Sequence, residues 1–481
     1  MINKPVSLFR SSFVYSLGDM ISKGLNFILL PIYLGYLSEA EYGEITFTLS
    51  ITAFLNILFG LGFAGAVTRL YYDCKSEEAR KRLLGTAALF LILFSIGLTF
   101  LLVLVGNNLF FERFFGLPFK PYGIYAIAIS LCSVMSVIPQ AIFKIQNRPV
   151  VSILFNISVF LLTILFTVIF VVVFKSGVRG AISALVLSNL LVAAGYTATL
   201  IKEIHPCLDR FILSNLLILS LPFIPHLLAH WSLSQSDRLV ISHFLDMSSV
   251  GAYSIGYQIG SLVFLTANAM NNAWVPYYYQ VLSNATDKKS LQKSVKQFLF
   301  LISGASVVTV CLSPLILSVL KVENQSICLQ IIALVSMAGF FQMCYFIFVS
   351  QTFQTKDIAL IPVITVAVAL ANIAANIYAV PRFGILAAAL TTLLAYFFLA
   401  VLNGWLALAK SRFNIGIGLM IRFAVITMVW LTVCLVLSFY IQPLWMILLP
   451  FIWLVTIDLI GSFSFSEMIS MISHTGSNSE Y

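Results

Sequence analysis

Fourteen long apolar stretches fill this chain, and only short connections separate them. A helix needs about 20 predominantly apolar residues to cross a bilayer. The longest connection, around Gln280–Lys296, is too short to hold a folded catalytic domain. The pattern therefore predicts a protein that works within the membrane plane. The predicted spans are Phe9–Leu37, Tyr42–Ala66, Leu83–Val105, Tyr122–Phe143, Val151–Phe174, Ala181–Ile201, Phe211–His243, Gly251–Trp274, Phe298–Leu320, Ile327–Phe353, Ile358–Tyr378, Leu386–Leu408, Leu419–Tyr440 and Trp445–Ile460.

Composition points to the same class. Of the 481 residues, 60% are hydrophobic and only 9% are charged, unlike a soluble protein. In lipid the backbone must satisfy its own hydrogen bonds, which favours a bundle of helices for continuous apolar runs. A β-barrel would show short alternating segments instead. The predicted fold class is therefore an all-α polytopic membrane protein with about 14 transmembrane helices.

Lysine and arginine are distributed unevenly between the connections. With the N-terminus inside, 19 of the 27 lie in inner segments and six in outer ones, while Lys23 and Arg238 fall within spans. This bias follows the positive-inside rule and predicts that both termini are cytoplasmic. The net charge of +9 then reflects topology and contact with anionic membrane lipids, and we expect no nucleic-acid partner. The first apolar segment is too long for a cleaved signal peptide and predicts a retained span.

The sequence predicts no cofactor. It contains no G-x-x-x-x-G-K-[ST] for ATP, no G-x-S-x-G and no H-E-x-x-H. The seven cysteines show neither metal-ligand spacing nor a disulfide pattern. Any energy for transport must then come from an ion gradient or a downstream reaction. The polar, serine-rich tail over 463–481 is predicted to be disordered.

The two halves of the chain resemble each other at an offset near 208. Leu37–Gly43 aligns with Leu245–Gly251, and three weaker matches follow at 207 or 208. Six spans separate equivalent points, so the repeats share one orientation. We expect six-helix lobes over 1–205 and 206–412, related by a pseudo-twofold axis along the membrane normal, and two added helices over 413–462. Coincidence in a chain rich in Leu, Ile and Phe is the alternative.

Polar side chains at helical spacing mark one face of the first span and one face of the seventh. An ionisable residue inside a span costs roughly 2.5–3.5 kcal/mol, so each one needs a reason. Simple alternatives are an i,i+4 ion pair between Asp19 and Lys23, a snorkelling Arg238 and histidines that serve helix packing. If the two faces are equivalent, they line a shared wet cavity. The faces comprise Asp19, Lys23 and Asn26 in the first span and His226, His230, Ser234 and Asp237, with Arg238 adjacent, in the seventh.

The eighth span adds phenols and amides, which suit either sugar hydroxyls or ordinary hydrogen bonds between helices. Pro222 and Pro225 predict a break in the seventh span, which is too long for a straight crossing. The polar residues of the eighth span are Tyr253, Tyr257, Asn268, Asn271 and Asn272.

Three motifs follow one another along the chain. They are Ser12-Phe13…Leu30-Pro31-Ile32-Tyr33-Leu34…Leu37…Glu41-Tyr42-Gly43, Ser236–Ile241 with Val250–Ser254, and Asn372…Asn376…Val380-Pro381…Gly384…Ala387-Ala388. Together they resemble the polysaccharide-transporter branch of the multidrug/oligosaccharidyl-lipid/polysaccharide exporter superfamily, which includes bacterial O-antigen (Wzx-type) flippases. The resemblance implies two helical bundles around a V-shaped cavity in a bacterial inner membrane. It also implies non-enzymatic movement of an undecaprenyl-diphosphate-linked oligosaccharide to the outer leaflet, with polysaccharide polymerase and chain-length machinery as partners.

A cargo of this kind has a diphosphate that needs cations and a glycan that needs a wet cavity. Lys23 and Arg238 are the candidates for the diphosphate, and Asp19 and Asp237 either balance them or carry a coupling proton or sodium ion. The candidates for other substrate contacts are Asn26, Asn268, Asn271, Asn272 and Tyr257, with His226 and His230 as further polar groups of the cavity.

Three other functions stay open. An antiporter of cationic drugs on the same fold would favour unpaired carboxylates and aromatic residues in the cavity. A glycan polymerase or ligase would be expected to carry a large outer loop with catalytic Arg or His, whereas the outer loops here are short. A structural scaffold would have little use for charges inside its spans.

Overall fold

The fold is seen in a computed structural model, which describes residues 24, 27–105, 113, 118–201, 203–283, 288–354, 359–410 and 416–459. Three candidate site residues of the first span, Asp19, Lys23 and Asn26, lie outside this part of the chain. Most of the first predicted span and the tail over 463–481 lie outside it as well.

The described residues form helices joined by turns, bends and short irregular connections, and none of them is in a strand. Two stretches of wider π-helix, Phe119–Gly123 and Val168–Val173, and two of 3₁₀-helix, Leu221–Phe223 and Trp445–Leu448, adjoin the α-helices. The α-helices are α1 Phe27–Tyr36, α2 Glu39–Gly60, α3 Phe63–Asp73, α4 Glu77–Val105, α5 Ile124–Val134, α6 Val137–Ile145, α7 Pro149–Thr167, α8 Gly177–Leu200, α9 Arg210–Ser220, α10 Ile224–Phe244, α11 Met247–Gly260, α12 Leu262–Ser283, α13 Lys288–Val319, α14 Gln325–Gln354, α15 Leu360–Phe383, α16 Ile385–Lys410, α17 Ile417–Leu437 and α18 Leu449–Leu459.

Twelve helical segments in this part of the chain are long and apolar enough to cross a membrane. Two shorter apolar helices, Phe27–Tyr36 and Trp445–Asp458, coincide with parts of the first and last predicted spans. The predicted class is thus confirmed: the chain is an all-α, multi-pass membrane protein.

Local sequence explains where the helices begin and break. Ser38 and Glu41 form a capping box that starts α2, since the Glu41 amide donates to the Ser38 hydroxyl over 3.3 Å and the Ser38 amide donates to the Glu41 carboxylate over 2.9 Å. In the seventh span, the 3₁₀ turn Leu221–Phe223 separates α9 from α10. Pro222 lies in this turn and Pro225 in the first turn of α10, which confirms the break that the two prolines predict.

The chain divides into two compact units. The first contains the described residues up to Ser254 together with Thr365–Ala388. The second contains Ile255–Ile364 and the described residues from Ala389 onward. The six-helix lobes over 1–205 and 206–412, which the sequence repeat predicts, stay a prediction.

The second unit has its core around α13. The Thr427 hydroxyl of α17 donates to Ser303 of α13 over 2.7 Å, and the Trp453 ring of α18 stacks on Phe300 with centroids 5.2 Å apart. A Cβ at Gly304 would come within 2.9 Å of the Trp453 ring, so the small residue permits this close approach. The last two apolar helices therefore pack directly on α13.

Local structure repeats at the offset seen in the sequence. Helix α2 begins at Glu39 and α11 at Met247, which are 208 residues apart. Gly177 and Gly384, which are 207 residues apart, both have left-handed backbone conformations, with φ of 59° and 71°, where a long helix begins. These two pairs of positions thus have similar local geometry.

Candidate functional site

A buried polar cluster in the first unit contains two of the predicted site residues, Asp237 and Arg238. Asp237 is fully buried, and both of its carboxylate oxygens accept hydrogen bonds. Tyr253 donates its hydroxyl to one oxygen, and Asn376 donates its side-chain amide to the other over 2.7 Å. Neutral donors thus replace part of the hydration that the carboxylate loses on burial.

Three helices bring this cluster together. Asp237 lies on α10, Tyr253 on α11, and Asn372 and Asn376 lie one turn apart on α15. The Asn376 amide also approaches the Asn372 oxygen at 3.4 Å. The Asn372 amide nitrogen is buried without a hydrogen-bond partner among the described residues. The cluster can therefore accept one more oxygen ligand or water at this nitrogen.

Arg238 extends the cluster on the same helix. Its side chain is 6% exposed, donates to the Ser234 carbonyl over 3.1 Å and lies 5.7 Å from the centre of the Tyr253 ring. In this conformation the cation is held by protein groups within the unit.

The histidines of α10 lie in a more open environment. His226 is half-buried, and its Nδ1 has no hydrogen-bond partner within the described part of the chain, whereas His230 is exposed. The His230 carbonyl accepts a hydrogen bond from Ser234 over 3.0 Å. No group of three or more His, Cys, Asp or Glu in the ranges given above has metal-site geometry.

The remaining predicted site residues lie in the second unit. Asn268 is half-buried and donates to the Phe264 carbonyl of its own helix over 2.7 Å. Asn271 is half-buried and Asn272 is exposed. Tyr257 is buried, with its ring stacked 6.4 Å from that of Phe264. The structure thus groups Asp237 with Arg238, while these four residues belong to a separate unit.

Tyr253, Asn372 and Asn376 complete the Asp237 cluster. Tyr253 is one of the polar residues noted in the eighth span, but none of the three is among the predicted substrate or ion contacts. A signal for the two asparagines is present, because two amides four residues apart in an apolar span share a helix face. Asn376 is 139 residues from Asp237, so the sequence alone gives no pairing between them. The chemical capacity of the cluster is clear: a carboxylate held by neutral donors inside a membrane protein can take up a proton or a cation.

Two proteins of Haemophilus influenzae are similar to this chain in sequence. A protein of the Lsg locus of Haemophilus influenzae is 23% identical over 283 residues, covering 58% of this chain and 67% of that protein. An uncharacterized membrane protein of the same organism is 24% identical over 310 residues, covering 63% of this chain and 73% of its own length.

Solved structures show the same fold. The lipid II flippase MurJ, in an inward closed conformation, aligns with a TM-score of 0.73 and 17% identity, covering 93% of this chain and 98% of the flippase. A variant of the MATE transporter VcmN of Vibrio cholerae aligns with a TM-score of 0.59 and 15% identity, covering 84% of this chain and 96% of the transporter.

The family model described as "Polysaccharide biosynthesis protein" matches residues 8–282, more than half of the chain. The family predicted from the sequence motifs is confirmed: this chain belongs to the polysaccharide biosynthesis protein family.

Proposed function

We propose that this protein is a flippase that moves an undecaprenyl-diphosphate-linked oligosaccharide from the cytoplasmic to the outer leaflet of a bacterial inner membrane, for surface polysaccharide synthesis. The observation that carries the proposal is the fold shared with a lipid II flippase over 93% of this chain. The family description, polysaccharide biosynthesis, supports a glycan as the cargo.

In this proposal, Lys23 and Arg238 bind the diphosphate. Arg238 is 6% exposed, and its guanidinium donates a hydrogen bond to the Ser234 carbonyl. Binding of the diphosphate therefore requires a conformational change that uncovers the guanidinium. Asp237 carries the coupling proton or sodium ion, because it is a fully buried carboxylate that accepts from a neutral donor at each oxygen. Asp19 either balances Lys23 or shares the coupling role.

Transport proceeds by alternating access of the lobes over 1–205 and 206–412, with both termini cytoplasmic. The repeat at offset 208 supports two equivalent bodies, and the excess of lysine and arginine in the inner segments supports this orientation. The path of the glycan is lined by the polar groups of Asn26, Asn268, Asn271, Asn272 and Tyr257. His226 and His230 lie near this path.

The test is flipping of a fluorescent lipid-linked oligosaccharide in vesicles that contain only this protein. Lys23→Ala should abolish flipping at normal protein abundance, whereas Lys23→Arg should keep part of it, since a point charge matters more there than its shape. Lys175→Ala, in an outer segment, is the matched control and should flip normally. Full activity of Lys23→Ala would remove this residue from the mechanism.

The runner-up is a cation-coupled multidrug antiporter, favoured by the fold shared with VcmN. The same vesicles, loaded with a cationic dye and given a proton or sodium gradient, distinguish the two functions. Dye efflux without lipid flipping would establish the antiporter. Lengthening of the glycan in these vesicles would instead indicate a polymerase or ligase.

A further inference from the structure

Two cysteines from distant parts of the chain meet in the interior of the second unit. The Sγ atoms of Cys311 on α13 and Cys434 on α17 lie 3.3 Å apart, and both side chains are fully buried. The two residues are 123 apart in the sequence. Since an S–S bond is about 2.05 Å long, the sulfurs have to approach by about 1.3 Å to form one. The pair is therefore placed for a disulfide.

The helices that carry the two cysteines pack side by side in register. The Thr427 hydroxyl of α17 donates to the Ser303 hydroxyl of α13 over 2.7 Å. Cys311 follows Ser303 by eight residues, and Cys434 follows Thr427 by seven, which is about two turns in each helix. Two contacts thus join the same pair of helices two turns apart, one between hydroxyls and one between sulfurs.

Cys434 is the last member of a buried stripe on α17. The buried residues of this helix are spaced three or four apart, so they share one face, whereas Ile421, Val425 and Val429 are exposed. In a bilayer the exposed face meets lipid tails, which are as apolar as these side chains and give little net drive for helix association. The helix therefore depends on specific contacts along its buried face. The stripe comprises Met420, Phe423, Thr427, Leu431 and Cys434.

The pair lies towards the outer ends of its helices in the orientation of the proposed function. Cys434 is three residues before the end of α17 at Leu437, which is about 4.5 Å along the helix axis. Disulfides form and persist in oxidising compartments such as the bacterial periplasm. An oxidant of that compartment can therefore reach Cys434 before α17 packs on α13.

We propose that Cys311 and Cys434 are a modification site, at which a disulfide ties the two helices added after the sequence repeat to α13. The oxidant is a protein disulfide of the outer compartment. The thiolate of Cys434 attacks one sulfur of that disulfide, which forms a mixed disulfide and releases one thiolate of the oxidant. The thiolate of Cys311 then attacks the Cys434 sulfur, forms the bond between the helices and releases the second thiolate. Two electrons pass to the oxidant, whose two thiolates take up the two protons that the cysteine pair loses.

The bond would hold α17 against α13 whatever the transporter carries. In the loop-closure account, a crosslink between residues far apart in sequence restricts the unfolded chain strongly. The inference rests on the orientation of the proposed function, which places these helix ends outside, and it does not depend on the cargo.

The first experiment counts thiols in the full-length protein. Membranes are dissolved in SDS with excess maleimide and without reductant, so that every free thiol is alkylated. Mass spectrometry should show five maleimides on the seven cysteines, and two more after reduction. Digestion should release one linked peptide pair that contains Cys311 and Cys434. Seven maleimides before reduction would show that the two residues pack as buried thiols and would overturn the proposal.

Cys132→Ser is the matched control, since Cys132 is a half-buried free thiol of the first unit. This variant should show four maleimides before reduction and six after it. Cys311→Ser and Cys434→Ser should each show six before reduction and none added by it. A reducible bond that persists in Cys311→Ser would assign the disulfide to other cysteines and contradict the pair.

The second experiment tests the oxidant. Protein from cells whose outer compartment lacks thiol-oxidising proteins should have seven free thiols, and oxidised glutathione in the growth medium should restore the bond. A bond that forms as completely in those cells without the added disulfide would contradict the exchange step.

The third experiment measures what the bond does. Thermal unfolding in detergent should occur several degrees lower in Cys311→Ser, in Cys434→Ser and in the double variant, by the same amount in all three, because each change removes the same bond. Unmodified protein from the cells without thiol-oxidising proteins should unfold at this lower temperature as well. An unchanged unfolding temperature in that protein would show that the bond does not hold the helices.

The thiol count and the flipping assay separate this inference from the proposed function. A Cys311–Cys434 bond in a protein that flips no lipid-linked oligosaccharide would support the bond and contradict the cargo. Flipping by a protein with seven free thiols would support the cargo and contradict the bond.

Discussion

The amide of Asn376 donates to the carboxylate of Asp237 over 2.7 Å across 139 residues of sequence. With the Tyr253 hydroxyl on the other oxygen, the fully buried Asp237 has a neutral donor on each oxygen. A hydrogen bond to a charged group contributes roughly 1.5–3 kcal/mol. Three helices thus contribute to holding one acidic group in the interior, which makes that group the most informative one to change.

We expect Asp237→Asn to uncouple transport from the ion gradient while the protein still folds, because an amide keeps the shape but cannot take up a proton. The measurement is flipping in vesicles with and without an imposed proton or sodium gradient. The variant should flip at one rate under both conditions, whereas the unmodified protein should respond to the gradient. A normal gradient response in Asp237→Asn would show that Asp237 does not carry the coupling ion.

Asn376→Ala should destabilise the protein by about 1.5–3 kcal/mol, since it removes one donor from a buried carboxylate. Thermal unfolding in detergent measures the effect as a lower transition temperature. Asn189→Ala is the matched control, because the Asn189 amide donates to the Leu185 carbonyl of its own helix, over 2.8 Å, and a smaller change is expected. An equal shift in both variants would contradict the importance of the Asp237 contact.

Much of the fold could be predicted from the sequence, because its main signals are local. Continuous apolar runs give the spans, and Pro222 and Pro225 give the break at Leu221–Phe223. The asparagine partners of Asp237 could not be predicted, because helical periodicity shows which residues share a face but not which helix lies opposite.

The polar face of α10 also shows what helical periodicity alone cannot predict. His230 and Asp237 share that face by spacing, yet His230 is exposed and Asp237 is fully buried. The C-terminal part of α10 contacts α11 and α15, whose Tyr253 and Asn376 cover Asp237. The environment thus changes along the helix, and spacing alone cannot report that change.

Gly43→Ala should force α2 away from α11, since the added methyl group overlaps the backbone of Met247. Overpacking of this kind costs about 1–3 kcal/mol. Thermal unfolding in detergent should therefore show a lower transition temperature for Gly43→Ala. Gly65→Ala is a control without a clash, because a Cβ there meets nothing within 4 Å, and its transition temperature should equal that of the parent.

Cys74 tests the orientation of the chain. It lies between α3 and α4, in a connection that the charge distribution assigns to the inside. Burial raises the pKa of this thiol, Arg80 partly offsets the increase, and Asp73 adds to it. The thiol also donates to the Leu70 carbonyl over 3.4 Å, which favours the protonated form.

Because the thiolate is the reactive form, maleimide labelling of a variant with Cys74 as its only cysteine should be slow at neutral pH. The rate should rise about tenfold per pH unit until the pH passes the raised pKa. Arg80→Gln should slow labelling at a given pH, since it removes the cation that stabilises the thiolate. An impermeant reagent should label inside-out vesicles only, and labelling of right-side-out vesicles would reverse the proposed topology.

Asp209, finally, makes two interactions whose contributions to the stability of the protein can be measured separately. As the N-cap of α9, its carboxylate accepts from the Phe211 and Ile212 amides over 2.9 and 3.2 Å, and it pairs with Arg82 of α4 at 3.1 Å. Losing an N-cap typically costs about 1 kcal/mol, whereas an exposed ion pair contributes about 0.2–1 kcal/mol. The Arg82 and Asp209 side chains are 49% and 25% exposed, so solvent screens the pair.

Asp209→Ala should therefore lower the unfolding temperature most. Asp209→Asn, which keeps the cap, and Arg82→Gln, which removes only the pair, should each lower it slightly and by similar amounts. If Asp209→Asn were as damaging as Asp209→Ala, the ion pair and not the cap would anchor α9 to α4.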